Sequence, residues 1–304
     1  MRGFFAYWGF FCAMRLLRRC AESAVINHGS AMLPSINREV DERLERLELP
    51  FNRAGIDPYG ISKWHLRYFM RWLGFNYRYY FRGRALNIDN VPKRGRAMIV
   101  CNHSGGYAID AGIVVAACFF DMDPPRLAQG MAEKFLARLP FAGEWTQKTG
   151  NFPGLPEHAA RLLNDERLLM VFPEGVKGTA KLFKERYSLV RFGTGFLRLA
   201  LETRTPIVPA AFLGGGEAVP TVLNLYKLGK LLGAPYVPVT PYLFATPLPV
   251  KVELHFGEIM RFVGTGNEED REIAPMVDRV KQRIEELIEN GRRDYKPLAL
   301  LKGE

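Results

Sequence analysis

The sequence predicts an α/β protein with a mostly parallel or mixed central sheet flanked by helices, preceded by a helical N-terminal segment. Three observations predict it. Continuous apolar runs at 96–101, 168–172 and 206–212 have the character of strands buried on both faces. Helical patterns fill the intervals between them, as sheets with helices on both sides require. A long amphipathic stripe closes the chain, with Ile273, Met276, Val277, Val280, Ile284, Leu287 and Ile288 recurring mainly at three- and four-residue steps.

The elements follow in order. Residues 3–14 form an apolar, aromatic run with Arg15, Arg18 and Arg19 behind it, which suits a helix lying in a membrane plane. It is too short to span a bilayer, and its charges follow the apolar run, unlike a signal peptide's. Residues 37–49 carry Val40, Leu44 and Leu47 at helical spacing, with Pro50 as the expected stop. A loop at 54–60 leads to an aromatic-basic helix at 62–72, with Gly74 marking its end. The strand at 96–101 precedes a buried helix at 111–120, and 125–129 reads as another strand. A helix closes at 161–164, and the strand at 168–172 follows. A helix at 193–201 and the strand at 206–212 come next, and the alternating segment 251–256 reads as a strand nearer an edge. Residues 223–249 are rich enough in Leu, Tyr and Pro to line an apolar groove. Asn290 and Gly291 are the expected end of the last helix.

The chain has 304 residues, with 42 Lys and Arg against 32 Asp and Glu, a formal charge of +10. That length fits one large domain or a domain with a helical appendage. The pattern divides into a helical, basic-aromatic membrane-association region at 1–83 and an α/β domain at 84–304. Between residues 63 and 96 the one acid is Asp89, while Arg67, Arg71 and Arg78 stand among Trp64, Tyr68, Trp72 and other aromatics. Such a mixture fits anionic lipid headgroups, and it equally describes a solvated face over a core helix. No nucleic-acid module accompanies it, so a nucleic-acid partner is not expected. Cys12, Cys20, Cys101 and Cys118 show neither metal spacing nor a secretory framework, so a reduced, cytoplasm-facing compartment follows. The location expected is peripheral, on the cytoplasmic face of a membrane. Neither a cofactor nor a metal is expected.

Two segments carry chemistry. Asn102-His103-Ser104-Gly105-Gly106 leads from the first buried strand to Asp110. Reactive groups in α/β folds gather beyond the carboxyl ends of strands. An imidazole there can take a proton near neutral pH, and a carboxylate partner sets its tautomer. Seven residues along a regular helix would separate His103 and Asp110 by roughly 10.5 Å. The chain must therefore fold back, which Gly105-Gly106 permits. The bland alternative is a packed histidine with a helix-capping aspartate. The second segment, Phe172-Pro173-Glu174-Gly175, ends the second buried strand. Glu174 there either supports an acceptor or caps neighbouring amides. Lys177, Lys181 and Lys184 follow, as candidate phosphate contacts or equally as a solvated rim, with Lys177 the first candidate because it is nearest the turn. Amides at Gly105, Gly106 or Gly175 are candidate oxyanion donors. Ser104 lacks a nucleophile-elbow context, which disfavours a serine hydrolase.

Asn102-His103 through Asp110, together with Phe172-Pro173-Glu174-Gly175, resembles the glycerolipid acyltransferase family that includes bacterial 1-acylglycerol-3-phosphate acyltransferase. The segments 131–135, Thr149-Gly150, 192–200, 205–209 and 256–258 add to the resemblance, which covers roughly residues 84–290. It implies that His103 is the general base on an acceptor hydroxyl and that Asp110 supports it. It implies an acyl thioester of CoA or acyl carrier protein as donor, and acceptor binding or site support from Glu174, Gly175, Lys177, Lys148 and Thr149. Two features depart from the family pattern. Six residues rather than four separate His103 from Asp110. Asn151-Phe152-Pro153 also stands where the family carries an arginine after the glycine, with Lys148 before it. An arginine fork matches phosphate in a way lysine does not. Lysophosphatidate, another lysolipid and a neutral glycerolipid therefore all remain open as acceptors. A thioesterase or lipase, and a non-catalytic lipid-binding protein, are the alternatives.

Overall fold

The three apolar runs become the middle of a seven-stranded sheet. The computed structural model describes residues 34–104, 109–132, 142–242 and 246–297; the apolar run at 3–14 lies outside them. The described chain opens with α1 (34–46) and α2 (Lys63–Phe75), which continues into a single π-helical turn at Asn76–Tyr80. It then passes through β1 (Arg84–Leu86), β2 (Ala97–Cys101), α3 (Ile109–Phe120), β3 (Ala128–Ala132), α4 (Ala142–Lys148) and β4 (Asn151–Pro153). Next come α5 (Pro156–Asn164), β5 (Leu168–Val171), α6 (Val176–Thr179), α7 (Gly195–Glu202), β6 (Ile207–Leu213) and α8 (Gly215–Ala218). A small excursion follows, made of β7 (Leu223–Leu225), α9 (Tyr226–Leu232) and β8 (Val237–Val239). β9 (Glu253–Phe256) and α10 (Asp270–Asp294) complete the fold.

The sheet order is β1-β9-β6-β2-β5-β3-β4. All pairings are parallel except β6 with β9. Every side chain of β2 and β6 is buried, the reason their sequences run apolar without alternation. The connections β2→β3 and β5→β6 cross the sheet in opposite directions. Right-handed crossovers therefore put α3 and α7 on opposite faces. Helices α2, α3 and α4 pack together as one layer, and α5, α7 and α10 as the other. The connections thus leave the adjacent strands β2 and β5 toward opposite faces, and the region beyond the carboxyl ends of such a strand pair is the usual place for a ligand.

Several boundaries differ from the sequence pattern for identifiable reasons. Gly74 does not end α2. A Cβ there would lie 2.6 Å from the Phe120 ring, so this glycine lets α2 approach α3 closely. Gly291 likewise sits inside α10, where a Cβ would lie 2.8 Å from both His255 Nε2 and Leu213 Cδ1. α1 stops at 46, ahead of Pro50. The strand expected at 125–129 begins at Ala128. The segment around 251–256 is an inner strand, because β1 pairs along its outer side. Ile36, Val40, Leu44, Leu66, Met70 and Leu73 belong to the same buried cluster as β2 and β6, so the helices before residue 84 share the core of the sheet. No described helix is long and apolar enough to cross a membrane.

Candidate active site

β2 ends at Cys101, and the next three residues build the site. Asn102 is buried and bridges to β6: its Nδ2 donates to the Phe212 carbonyl at 3.0 Å, and its Oδ1 accepts from the Phe212 N–H at 2.6 Å. This clamp fixes the backbone from which His103 projects. The imidazole stacks on Phe172, at the end of neighbouring β5, with centroids 4.5 Å apart and planes at 24°. Its Nδ1 lies 2.6 Å from Asp110 Oδ2. The side chain is 13 % exposed, while that of Asp110 is fully enclosed.

Asp110 occupies the first turn of α3, where the positive end of the helix favours a carboxylate. Oδ2 also accepts from the Ser104 N–H at 2.8 Å, and Oδ1 from the Ala111 N–H at 2.8 Å. A carboxylate so held takes the Nδ1–H of the ring. The lone pair then resides on Nε2, the tautomer a general base needs. Residues 105–108 join the two side chains and, with Gly105 and Gly106, lie outside the described residues.

Glu174 holds the same centre from the β5 side. Its Oε1 accepts from the His103 N–H at 2.8 Å, and Oε2 from the Val190 N–H at 2.8 Å. Lys181 Nζ reaches both oxygens, at 3.1 and 3.0 Å, and the Ser188 carbonyl at 3.0 Å. Both side chains are nearly or wholly enclosed. A buried charge pair is sustained only when its remaining donors and acceptors are also matched, and here they are. Glu174 is thus committed to the protein and anchors the His103 backbone. Lys181, one of the three lysines expected at a phosphate site or on a solvated rim, is instead the buried partner of Glu174.

Glycines make this proximity possible. Gly175 adopts φ 55°, ψ −149°, a region open essentially to glycine alone, and its N–H donates to the Phe172 carbonyl at 3.0 Å. That amide therefore closes the turn and does not face an oxyanion. A Cβ on Gly178 would lie 2.7 Å from the Cβ atoms of both Glu174 and His103. Ser104 is buried with its N–H on Asp110, which does not suit a nucleophile.

Lys177 lines a concavity of about 410 Å3 beside the turn, together with Arg191, Phe192, Gly193, Thr194, Asp270 and Ala274. The Gly193 N–H donates to the Pro173 carbonyl at 3.1 Å, tying that wall to the Phe-Pro-Glu-Gly turn. Lys148 and Thr149 are not brought to His103. Across β3 and β5, Asn151 is level with Ile99, so Thr149 lies toward the amino end of β2 and three strands away. Lys148 pairs with Glu144 at 2.5 Å, and the Thr149 hydroxyl donates to the Trp145 carbonyl at 2.9 Å.

The arginines expected to face lipid are engaged within the protein. Arg67 and Arg71 pair with Asp41 at 2.8 and 2.9 Å, and Arg78 with Asp121 at 2.9 Å and Glu39 at 3.3 Å. Trp64, Tyr68 and Trp72 are exposed at four-residue steps along α2. Among the described residues of 223–249, Leu223, Leu225, Tyr226, Leu228, Leu231 and Leu248 are exposed. Sequence reasoning missed Asn102 and Gly178 as positioning residues. Their signal was adjacency to the two segments, and their roles depend on β6 and the turn after β5.

Residues 84–213 match the acyltransferase family model. An uncharacterized protein of Mycobacterium tuberculosis is 34 % identical over 228 residues, 71 % of this chain and 63 % of its own length. One of Mycobacterium leprae is 33 % identical over 246 residues, covering 77 % and 65 %. The chain thus spans under two thirds of the length of these relatives. The crystal structure of the 1-acyl-sn-glycerophosphate acyltransferase PlsC from Thermotoga maritima superposes with a TM-score of 0.52 at 14 % identity, covering 97 % of this chain and 98 % of that one. The fold is that of PlsC, and His103, Asp110 and the Phe172–Gly175 turn all lie within the segment that matches the acyltransferase family model.

Proposed function

We propose that the protein transfers a fatty acyl group from a thioester of CoA or acyl carrier protein to a hydroxyl of a lysophospholipid or another glycerolipid. The carrying observation is the His103–Asp110 pair at 2.6 Å beyond the carboxyl end of β2. Nε2 of His103 removes the proton of the acceptor hydroxyl as its oxygen attacks the thioester carbonyl. The tetrahedral intermediate collapses, the C–S bond breaks, and the imidazolium returns its proton to the departing thiolate. Asp110 stabilises the imidazolium and holds the ring. The thioester is already activated, so the reaction as written calls on no cofactor. Glu174 acts on the acceptor only indirectly, through the His103 backbone. Lys177 and Arg191 supply positive charge in the adjoining concavity, which supports a phosphate-bearing acceptor.

We place the protein at the cytoplasmic face of a membrane, where both its acyl product and its acceptor reside, with Trp64, Tyr68 and Trp72 of α2 as one contact. Product analysis tests the reading. With acyl-CoA and a panel of lysolipids and neutral glycerolipids, thiol release depends on an acceptor and yields an acylated lipid. Free fatty acid released regardless of acceptor would make the protein a thioesterase or lipase. Vesicle binding without any thiol release would make it a lipid-binding protein.

A further inference from the structure

Between Glu217 and Glu253 the sequence holds no acidic residue, and it carries Lys227, Lys230 and Lys251. The first part of this stretch leaves the main sheet as β7 paired antiparallel with β8, with α9 between them. α9 turns Gly229 inward, where a side chain would collide with the Tyr236 backbone. Tyr226 and Leu231 are 60 % and 71 % exposed, and Lys227, Leu228 and Lys230 are exposed with them. β7 repeats the arrangement. Leu223 and Leu225 share an outward face, while Asn224 turns inward and donates to the Ala180 carbonyl at 2.6 Å. A helix on a globular protein normally buries its apolar stripe and exposes its polar residues; here the glycine is buried and the apolar residues face out.

We propose that the outer face of β7 and α9 docks on an anionic bilayer. Its leucines enter the acyl-headgroup boundary, Tyr226 sits at headgroup level, and Lys227 and Lys230 meet lipid phosphates. The charge pattern selects this occupant. A second copy packed on the same face about a two-fold axis would set the lysines of this acid-free segment against one another. The location gives the contact a purpose. The Phe183 N–H donates to the Thr221 carbonyl at 2.8 Å, and Asn224 holds Ala180, so the excursion is bonded to the loop that carries Lys181. Lys181 holds Glu174, and Glu174 holds His103. Docking through α9 thus puts the reactive end of the sheet beside the lipid surface.

The test uses the full chain and vesicles of equal parts phosphatidylcholine and phosphatidylglycerol, with pure phosphatidylcholine as the contrast. Partition is read without turnover, so its outcome is separate from that of the acyl-transfer reading. The Leu228→Asp/Leu231→Asp variant is expected to partition at least about tenfold more weakly into anionic vesicles, with an unchanged thermal midpoint. Lys227→Glu/Lys230→Glu is expected to abolish the preference for anionic over neutral vesicles. Leu231→Trp is expected to gain fluorescence quenching by brominated acyl chains beyond that of the wild-type tryptophans. Wild-type partition by the aspartate variant, or no added quenching for Leu231→Trp, would overturn the proposal. Conversion of a dimer to a monomer by the same aspartates, with vesicle binding unaltered, would also overturn it and assign the face to a second copy.

Discussion

At the carboxyl ends of β2 and β5, charges are buried and matched: Asp110, Glu174 and Lys181 bond to the imidazole, to backbone N–H and carbonyl groups, and to each other. In the β7–α9–β8 excursion the order is inverted, with leucines and a tyrosine outside and a glycine inside. The first region encloses polar groups to hold one imidazole in place. The second leaves apolar groups exposed at the next station along the same hydrogen-bonded path. The contrast teaches that burial here follows task. A reactive centre needs its positioning groups shielded from water, where their interactions are stronger. A surface that meets lipid keeps its apolar groups uncovered until the partner arrives.

The comparison can be broken most severely at Glu174. Glu174→Ala leaves Lys181 buried without its carboxylate and frees the His103 and Val190 amides. Loss of one partner of a buried pair costs about 3–5 kcal/mol, so chemical denaturation should show a drop of that order and activity should fall with it. A midpoint within error of wild type would mean that this end of the sheet is wetter and looser than the structure shows. Gly178→Ala probes the same packing more gently. Its added methyl would meet the Cβ atoms of Glu174 and His103, and overpacking typically costs about 1–3 kcal/mol. Activity should fall more than stability, because the displaced group is His103.

The effects shrink at the surface. Asp41→Asn removes the partner of Arg67 and Arg71 and should cost under about 1 kcal/mol, as exposed pairs do. If the α2 arginines were lipid contacts rather than structural ones, freeing them would instead strengthen vesicle binding markedly. The smallest effect is that of Glu166. Hydrogen bonding to Arg96 holds its carboxyl below the ordinary carboxylate range. A depressed folded value contributes stability above the unfolded pKa and loses it as pH falls through the folded one. Glu166→Gln should therefore lower stability slightly at neutral pH and not at all well below pH 4, in thermal scans taken across that range.

Much of this was legible in the sequence because its cause is local. β2, β5 and β6 announce themselves as apolar runs, since burial on both faces permits little else. Asp110 was legible as the partner of His103 because it is the carboxylate seven positions on, with Gly105-Gly106 between them to let the chain fold back. What was not legible depends on distant neighbours. Gly74 and Gly291 look like helix stops, and only Phe120 and His255 reveal them as close approaches. Lys181 looks like one of several surface lysines until Glu174 is folded against it. β1 and β4, with three residues each, carry too little pattern to be read. Lys148 and Thr149 were placed by resemblance, and strand register sets them far from the imidazole.

The central claim is that His103 is a base held by Asp110. Acyl transfer by folded His103→Ala and Asp110→Asn variants, measured as acceptor-dependent thiol release, tests it most directly. The account predicts losses of about 10²–10⁴-fold for His103→Ala, and a large loss for Asp110→Asn with the midpoint of unfolding little changed. Wild-type rates in both folded variants would contradict it.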